Sequence, residues 1–473
     1  SDRATMSGFG GGHMEMDDAP AVERKAPDDR IIIEVKPSPN FDLESYISNY
    51  SGRTKALRLK FIAERVPALQ LDAMRMLLQK VKSGQNVALY KEVMEMIGDK
   101  LGNELDPKWV ERTQEQNEKQ GDKLEVELCT HKLNSIKEKV RMGHNDLGNH
   151  HYAAGNLNEA LKCFMRTRDY GTTTKHTLDM CLSIIRVSIE MGNFAHVVNY
   201  VTKAEAQPEQ HTDLGMVAKL RSAAGLAHLD GGKYKQAALK FTHMKIEVGK
   251  ENNVPILKNI HPDELCYSEV LAPQDVAIYG GLCALATFDR TELATKVMED
   301  SAMKQFLELV PDMREIISDF YHSRYSSCLA LMEKIRGDLL LDVYMNAHVD
   351  KLYAMVRSKA LIQYFTPFAS VQMPMMAQAF GTTVPELQKE LTQLIMKKDI
   401  KARIDSHNKI IYARQADQEV STFHQALQTG LEYERQTKAL LLRLDLIRNE
   451  MTMKPARTGG VHGPPRGDRE EDY

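Results

Sequence analysis

The chain has no apolar run near the roughly 18 residues that a membrane-spanning helix requires, and no leader-like segment is visible, so the sequence predicts a soluble intracellular protein. It also has no Cys-x-x-Cys pair. Its six cysteines, Cys129, Cys163, Cys181, Cys266, Cys283 and Cys328, lie far apart, as buried free thiols in a reducing compartment do. Neither sign of charge dominates. A formal net charge of −3, with acids and bases interleaved, lacks the basic surplus that neutralises many phosphates and so disfavours a general nucleic-acid role. Catalytic signatures are missing too. There is no His-Glu-x-x-His and no Gly-x-Ser-x-Gly. His150 and His151 are adjacent, which on a helix points them about 100° apart, and His151 falls at a repeat packing position. The stretch GLAHLDGGK (225–233) imitates a phosphate loop, but its spacing is wrong and no Ser or Thr follows the Lys. Thr172, Thr173 and Thr174 read as a polar loop before a helix. No catalytic, cofactor or metal-binding residue is assigned.

What is present is helical periodicity over most of 473 residues, enough for several domains. Residues 1–39 and 453–473 read as disordered tails, rich in Gly, Pro and charge. Residues 40–141 form an N-terminal helical region. Asn40 is the expected cap of its first helix, 54–66 and 67–81 are amphipathic segments, and Asp106-Pro107 starts a long connecting helix through Arg141. Residues 142–365 read as a tetratricopeptide-like array. Leu147, Gly148, His151, Gly155, Leu157, Ala160 and Phe164 sit at the spacings of such a helix pair, where small residues allow close approach and Phe fills the gap. Gly192 and Gly232 mark two further units, and Leu282, Asp289 and Ala294 a degenerate fourth, after a polar, proline-bearing interruption at 246–273. Helices resume at 303–309, 312–321, 325–336 and 348–364.

Residues 366–416 read as a winged helix. A short apolar helix at 373–380 and a Gly381 turn lead to a helix at 384–397, with Leu387, Leu391, Leu394 and Ile395 on one face. Ile400, Ile404, Ile410, Ile411 and Tyr412 then form two short antiparallel strands about a Ser406-His407-Asn408 turn. The segment 367–416 holds seven basic and four acidic residues, a balance of only +3, and its second helix carries Glu386 and Glu390 beside Lys389. DNA reading is therefore the weaker expectation, and pairing of an exposed strand edge with another protein the stronger. Residues 417–452 form a last long helix, apolar at Val420, Phe423 and Leu427 and again at Leu440, Leu441, Leu444 and Ile447. Such a stripe needs a facing surface, supplied by partner helices or by the chain's own winged helix.

Helical repeats running into a winged helix and a terminal helix resemble the PCI family, the scaffold proteins of the proteasome lid, the COP9 signalosome and a translation initiation factor. The segments SGRTKALRLKFIAERVPALQLDAMRML (51–77), RTRDYGTTTKH (166–176), APQDVAIYGGLCALATFDR (272–290), ELVPDMRE (308–315) and RIDSHNKIIYAR (403–414) are similar to the signalosome branch rather than the lid branch. The resemblance covers residues 40–450. It implies a non-catalytic subunit of a complex that removes the ubiquitin-like modifier NEDD8 from cullins and so regulates cullin-RING ligases, in cytoplasm and nucleus, with the zinc isopeptidase in another subunit. It further implies winged helices meeting edge to edge, with signalosome subunits 2 and 3 as neighbours, and terminal helices gathered in a bundle. The alternatives are a helical subunit of the proteasome lid and a winged-helix nucleic-acid-binding protein.

Overall fold

The computed structural model describes residues 41–98, 106–207, 214–243, 250–251, 254–255, 269–414, 418–449 and 451. Both expected tails, Asn40, Cys266 and most of the interruption at 246–273 lie outside these residues; within the interruption Lys250–Glu251 (β1) and Val254–Pro255 (β2) pair antiparallel. The described residues form two compact units: those up to 367 with 375–390, and 368–374 with those from 391 onward.

The larger unit opens with α1 (Leu43–Ser48), α2 (Gly52–Arg65), α3 (Gln70–Lys82) and α4 (Val87–Ile97). Asp42, not Asn40, caps α1, its carboxylate accepting the Glu44 N–H at 3.1 Å. Helix α4 was not expected, and Asn86 caps it by accepting the Leu89 N–H at 3.0 Å. Asp106 and Pro107 start α5 (Pro107–Leu133) as predicted. The connecting helix does not reach Arg141. It stops at Leu133, Ser135 turns the chain with φ of 55°, and α6 (Lys137–Ala154) begins anew.

Helix α6 pairs with α7 (Leu157–Arg166), α8 (Thr174–Met191) with α9 (Phe194–Glu205), and α10 (Leu214–Asp230) with α11 (Tyr234–Thr242). The marker glycines end the first helix of each pair in the left-handed region, with φ of 98°, 72° and 69° at Gly155, Gly192 and Gly232. The residue after each glycine donates back to a carbonyl five positions earlier at 2.9 Å, as Asn156 does to His151, which satisfies carbonyls the helix end leaves orphaned. The small-residue reading holds as well: a Cβ at Gly148 would lie 2.7 Å from the Phe164 ring, and one at Gly225 2.7 Å from the Phe241 ring. The unit continues through α12 (Pro273–Thr287), α13 (Arg290–Leu293), α14 (Ser301–Glu308), α15 (Pro311–Tyr321), α16 (Tyr325–Leu340) and α17 (Asn346–Phe365). Asp289, expected in the fourth repeat, is the N-cap of α13 in a capping box with Glu292.

The N-terminal helices close onto the later helices through a buried cation. Arg58 of α2, 0 % exposed, donates to Asp342 at 2.6 Å, to Asp275 at 2.9 Å and to the Tyr46 hydroxyl at 2.6 Å. Its guanidinium also lies 4.0 Å over the Tyr50 ring, whose hydroxyl donates to Asp275 at 2.7 Å. Asp342 accepts from the Tyr279 hydroxyl and from the Tyr344 and Met345 N–H groups. One cation thus faces two carboxylates, and the surplus negative charge settles unevenly. Burial raises Asp275 to about 6 despite Arg58, whereas at Asp342 burial is outweighed by Arg58 and three neutral donors, which hold its carboxyl below the usual range.

Two helices, α18 (Met373–Ala379) and α19 (Val384–Met396), contribute residues to both units. Leu387, Leu391 and Leu394 are buried, as their spacing predicted. Within the larger unit, Arg357 of α17 forks onto both carboxylate oxygens of Glu390 at 3.1 and 3.0 Å. The smaller unit carries a sheet and a terminal helix, α20 (Gln418–Arg448).

Candidate protein-interaction surfaces

The wing turn forms as its residues dictate. Asp405 accepts the N–H of His407 at 3.0 Å and of Asn408 at 3.2 Å, fixing a tight polar bend between β4 (Ala402–Asp405) and β5 (Ile410–Ala413). The sheet has a third member that sequence reasoning missed. Ser370–Gln372 (β3) pairs antiparallel with β5, giving the order β3-β5-β4. The strand holding Ile410, Ile411 and Tyr412 is therefore central, and the two-stranded wing with an open edge there is corrected: the free edges are β4 and β3.

The ladder fixes what each edge presents. Arg414 donates to the Lys401 carbonyl at 2.8 Å, so by alternation Arg403 and Asp405 bond to β5, while Ala402 and Ile404 turn N–H and C=O outward. On the other side Ala413 donates to Ala369 and Met373 to Lys409, both at 2.8 Å, which leaves Ser370 and Gln372 facing out. Among the described residues no further strand pairs with either edge. One face of the sheet is core, with Val371, Ile411 and Ala402 buried and Ile404 half-buried. The other carries half-buried Ile410 and exposed Tyr412, Arg403 and Gln372. Ile400 is buried and precedes the strand. Of the five expected wing residues, then, Ile400 and Ile411 fill the core, Ile404 lies on an edge, and Ile410 and Tyr412 share the outer face.

Helix α20 is bare. Phe423, Leu427, Leu440, Leu441, Leu444 and Ile447 are between 51 and 64 % exposed, so the expected stripe is present and left uncovered by the described residues of its own unit. Leu431, Leu442 and Leu446 were overlooked and are exposed as well. At roughly 100° per residue, Leu442 lies about 200° and Leu446 about 240° around from Leu440. The first half of α20 therefore bears a narrow apolar stripe, and the stretch from Leu440 to Ile447 is apolar on opposite sides.

Among the described residues no reactive constellation competes with these surfaces. Cys163, Cys181, Cys283 and Cys328 are buried, and burial pushes each thiol up, to about 12 for Cys283 and Cys328; Cys129 is exposed. His144 is pushed down to about 4 by burial. Gly225 lies within α10, so residues 225–233 are a helix and its capped end, not a phosphate loop. Among the described residues no group of three or more His, Cys, Asp and Glu is placed to hold a metal ion, and no helix is long and apolar enough to cross a membrane.

Comparison with known proteins matches residues 106–296 to the family of 26S proteasome subunit RPN7 and residues 332–415 to the PCI domain. COP9 signalosome complex subunit 1 of Arabidopsis thaliana is 49 % identical over 421 residues, covering 88 % of this chain and 92 % of its own length. COP9 signalosome complex subunit 1b of Drosophila melanogaster is 37 % identical over 510 residues, with 95 % and 94 % covered. The 26S proteasome non-ATPase regulatory subunit 6 of Caenorhabditis elegans is more distant, at 23 % over 322 residues, with 66 % and 74 % covered.

Proposed function

The chain belongs to the COP9 signalosome subunit 1 family, and we propose that it is a non-catalytic scaffold of a signalosome whose isopeptidase, acting on NEDD8-modified cullins, resides in another subunit. The observation that carries this reading is the exposed apolar helix α20, since a helix that is apolar on one stripe needs one neighbour and one that is apolar on opposite sides needs at least two. Partner helices pack along the Phe423–Leu427 stripe and enclose the Leu440 to Ile447 stretch. The sheet supplies the second contact. Neighbouring subunits, with 2 and 3 foremost, add a strand beside Ala402 and Ile404 or beside Ser370 and Gln372, while Tyr412 and Ile410 meet the partner from the outer face. Acid residues on α19, with Glu390 already engaged by Arg357, argue against a DNA-reading helix. The complex works in cytoplasm and nucleus.

Reconstitution tests the proposal. The full chain, mixed with the remaining signalosome subunits, is expected to enter one stoichiometric complex, and a chain ending at Arg414 is expected to keep its circular dichroism per ordered residue but to be lost from that complex. Equal incorporation of both chains, or preference of the full chain for proteasome lid subunits, overturns it.

A further inference from the structure

A cleft of about 460 Å3 opens on the larger unit between α1, α12 and α16. Its apolar lining comes from Phe41, Tyr46, Ile278, Tyr279, Ile335 and Leu339. Asp42, Asp312, Asp338, Asp275 and Asp342 also line it, against the one ammonium of Lys334, so the cleft favours an apolar occupant with flanking positive charge. Asp275 and Asp342 are the partners of Arg58, so the cleft ends on the clamp that joins the N-terminal helices to the array.

Phe41, the first described residue, stands on the lining itself, so the chain that precedes it starts at the cleft. That preceding chain contains Ile31, Ile32, Ile33 and Val35, interrupted only by Glu34, and no other run of large aliphatic side chains occurs in the first 40 residues. In an extended chain Ile31, Ile33 and Val35 fall on one side. Arg30 and Lys36 bracket the run, and Pro37 and Pro39 favour an extended path between it and Phe41. Phe41 lies eight positions beyond Ile33, a reach of about 26 Å when extended, ample for a return onto a cleft that begins at Phe41.

We infer that residues 31–36 of this chain dock in the cleft between α1, α12 and α16, with Ile31, Ile33 and Val35 against Ile278 and Ile335 and with Lys36 and Arg30 toward the acidic rim. Tethering makes the segment the favoured occupant, because its local concentration at the cleft exceeds that of any free partner.

Two measurements on the full-length chain test this. Hydroxyl-radical labelling of Tyr46, Ile278 and Ile335 is expected to rise at least threefold in the Ile31→Asp/Ile33→Asp double variant, with circular dichroism expected to match that of the unaltered chain. In a Cys129→Ser background, Ile33→Cys with Lys334→Cys is expected to form an intrachain disulfide on mild oxidation, identified by peptide mass in the monomer. Unchanged labelling overturns the inference. So does a bond found only between two chains, which would make a second copy the occupant, or labelling that falls only when other subunits are added, which would make a partner the occupant.

Discussion

Replacing Arg58 with methionine removes the one cation that faces Asp275 and Asp342 in the interior. Breaking a buried ion pair by deleting one partner costs about 3–5 kcal/mol. The lower end applies here, because Asp275 keeps the Tyr50 hydroxyl and the Ala272 N–H, and Asp342 keeps Tyr279, Tyr344 and Met345. With a urea dependence of about 3 kcal/mol per molar, a loss of about 3 kcal/mol moves the midpoint by about 1 M. The assay has a built-in reporter. Trp109 is the only tryptophan of the chain, and its ring lies 4.6 Å from that of Tyr90 in the core that α1 to α4 share with Leu341, so its fluorescence follows the region Arg58 holds. The loss also carries a pH signature. Asp275 sits at about 6 in the intact protein, above its unfolded value near 4, so the native state holds extra proton between those values and stability falls as pH rises through that window. Without Arg58 the window moves upward. The variant should lose about 3 kcal/mol at pH 8 and recover much of that at pH 5.5, where a protonated Asp275 needs no cation. An unchanged midpoint at pH 8, or an equal loss at both pH values, refutes the argument.

Gly225→Ala puts a methyl where the Phe241 ring now stands, 2.7 Å away, and should destabilise by about 1–3 kcal/mol in thermal denaturation. Ile404→Pro and Ile410→Pro separate edge from centre: Ile404 points its N–H away from β5, so its proline variant should keep near-native circular dichroism yet fail to assemble, whereas Ile410→Pro removes a bond inside the sheet and should unfold the wing. Elemental analysis of the purified chain should find less than a tenth of an equivalent of zinc, and a deneddylation assay on the lone subunit should show no turnover.

Legibility followed the range of the cause. Gly155, Gly192 and Gly232 could be read because a left-handed helix end is a local demand that glycine meets, and Gly148 and Gly225 because their Phe partners sit 16 residues downstream in the same hairpin. The break after Leu133 carries no glycine or proline; Ser135 takes the positive φ instead, and nothing nearby announces it. Strand β3 has three residues and one buried side chain, too few for alternation to register, and exists because β5 lies beside it. Arg58 lies in the amphipathic segment 54–66 with no local sign that it is buried. Its carboxylate partners lie 217 and 284 positions away, beyond any window over which periodicity can be read. The stripe of α20 was visible for the opposite reason, since the pattern is its own whether or not anything covers it, but Leu442 and Leu446 were lost in a search for a single face.

The position of α20 in the chain bears on biosynthesis. It follows every other described element, so at about 5–20 residues per second the three repeat pairs, which end at Thr242, are made about 9 to 35 s before Gln418 is reached, whereas β5 ends at Ala413, only five positions ahead of it. A chain stalled before Gln418 lacks this helix, whereas a finished chain without partners displays Phe423 through Ile447 to solvent. On the proposed role of α20, completion of synthesis and the need for company arrive together, and surplus copies expose to holdases and proteases the same side chains proposed to seat them in an assembly.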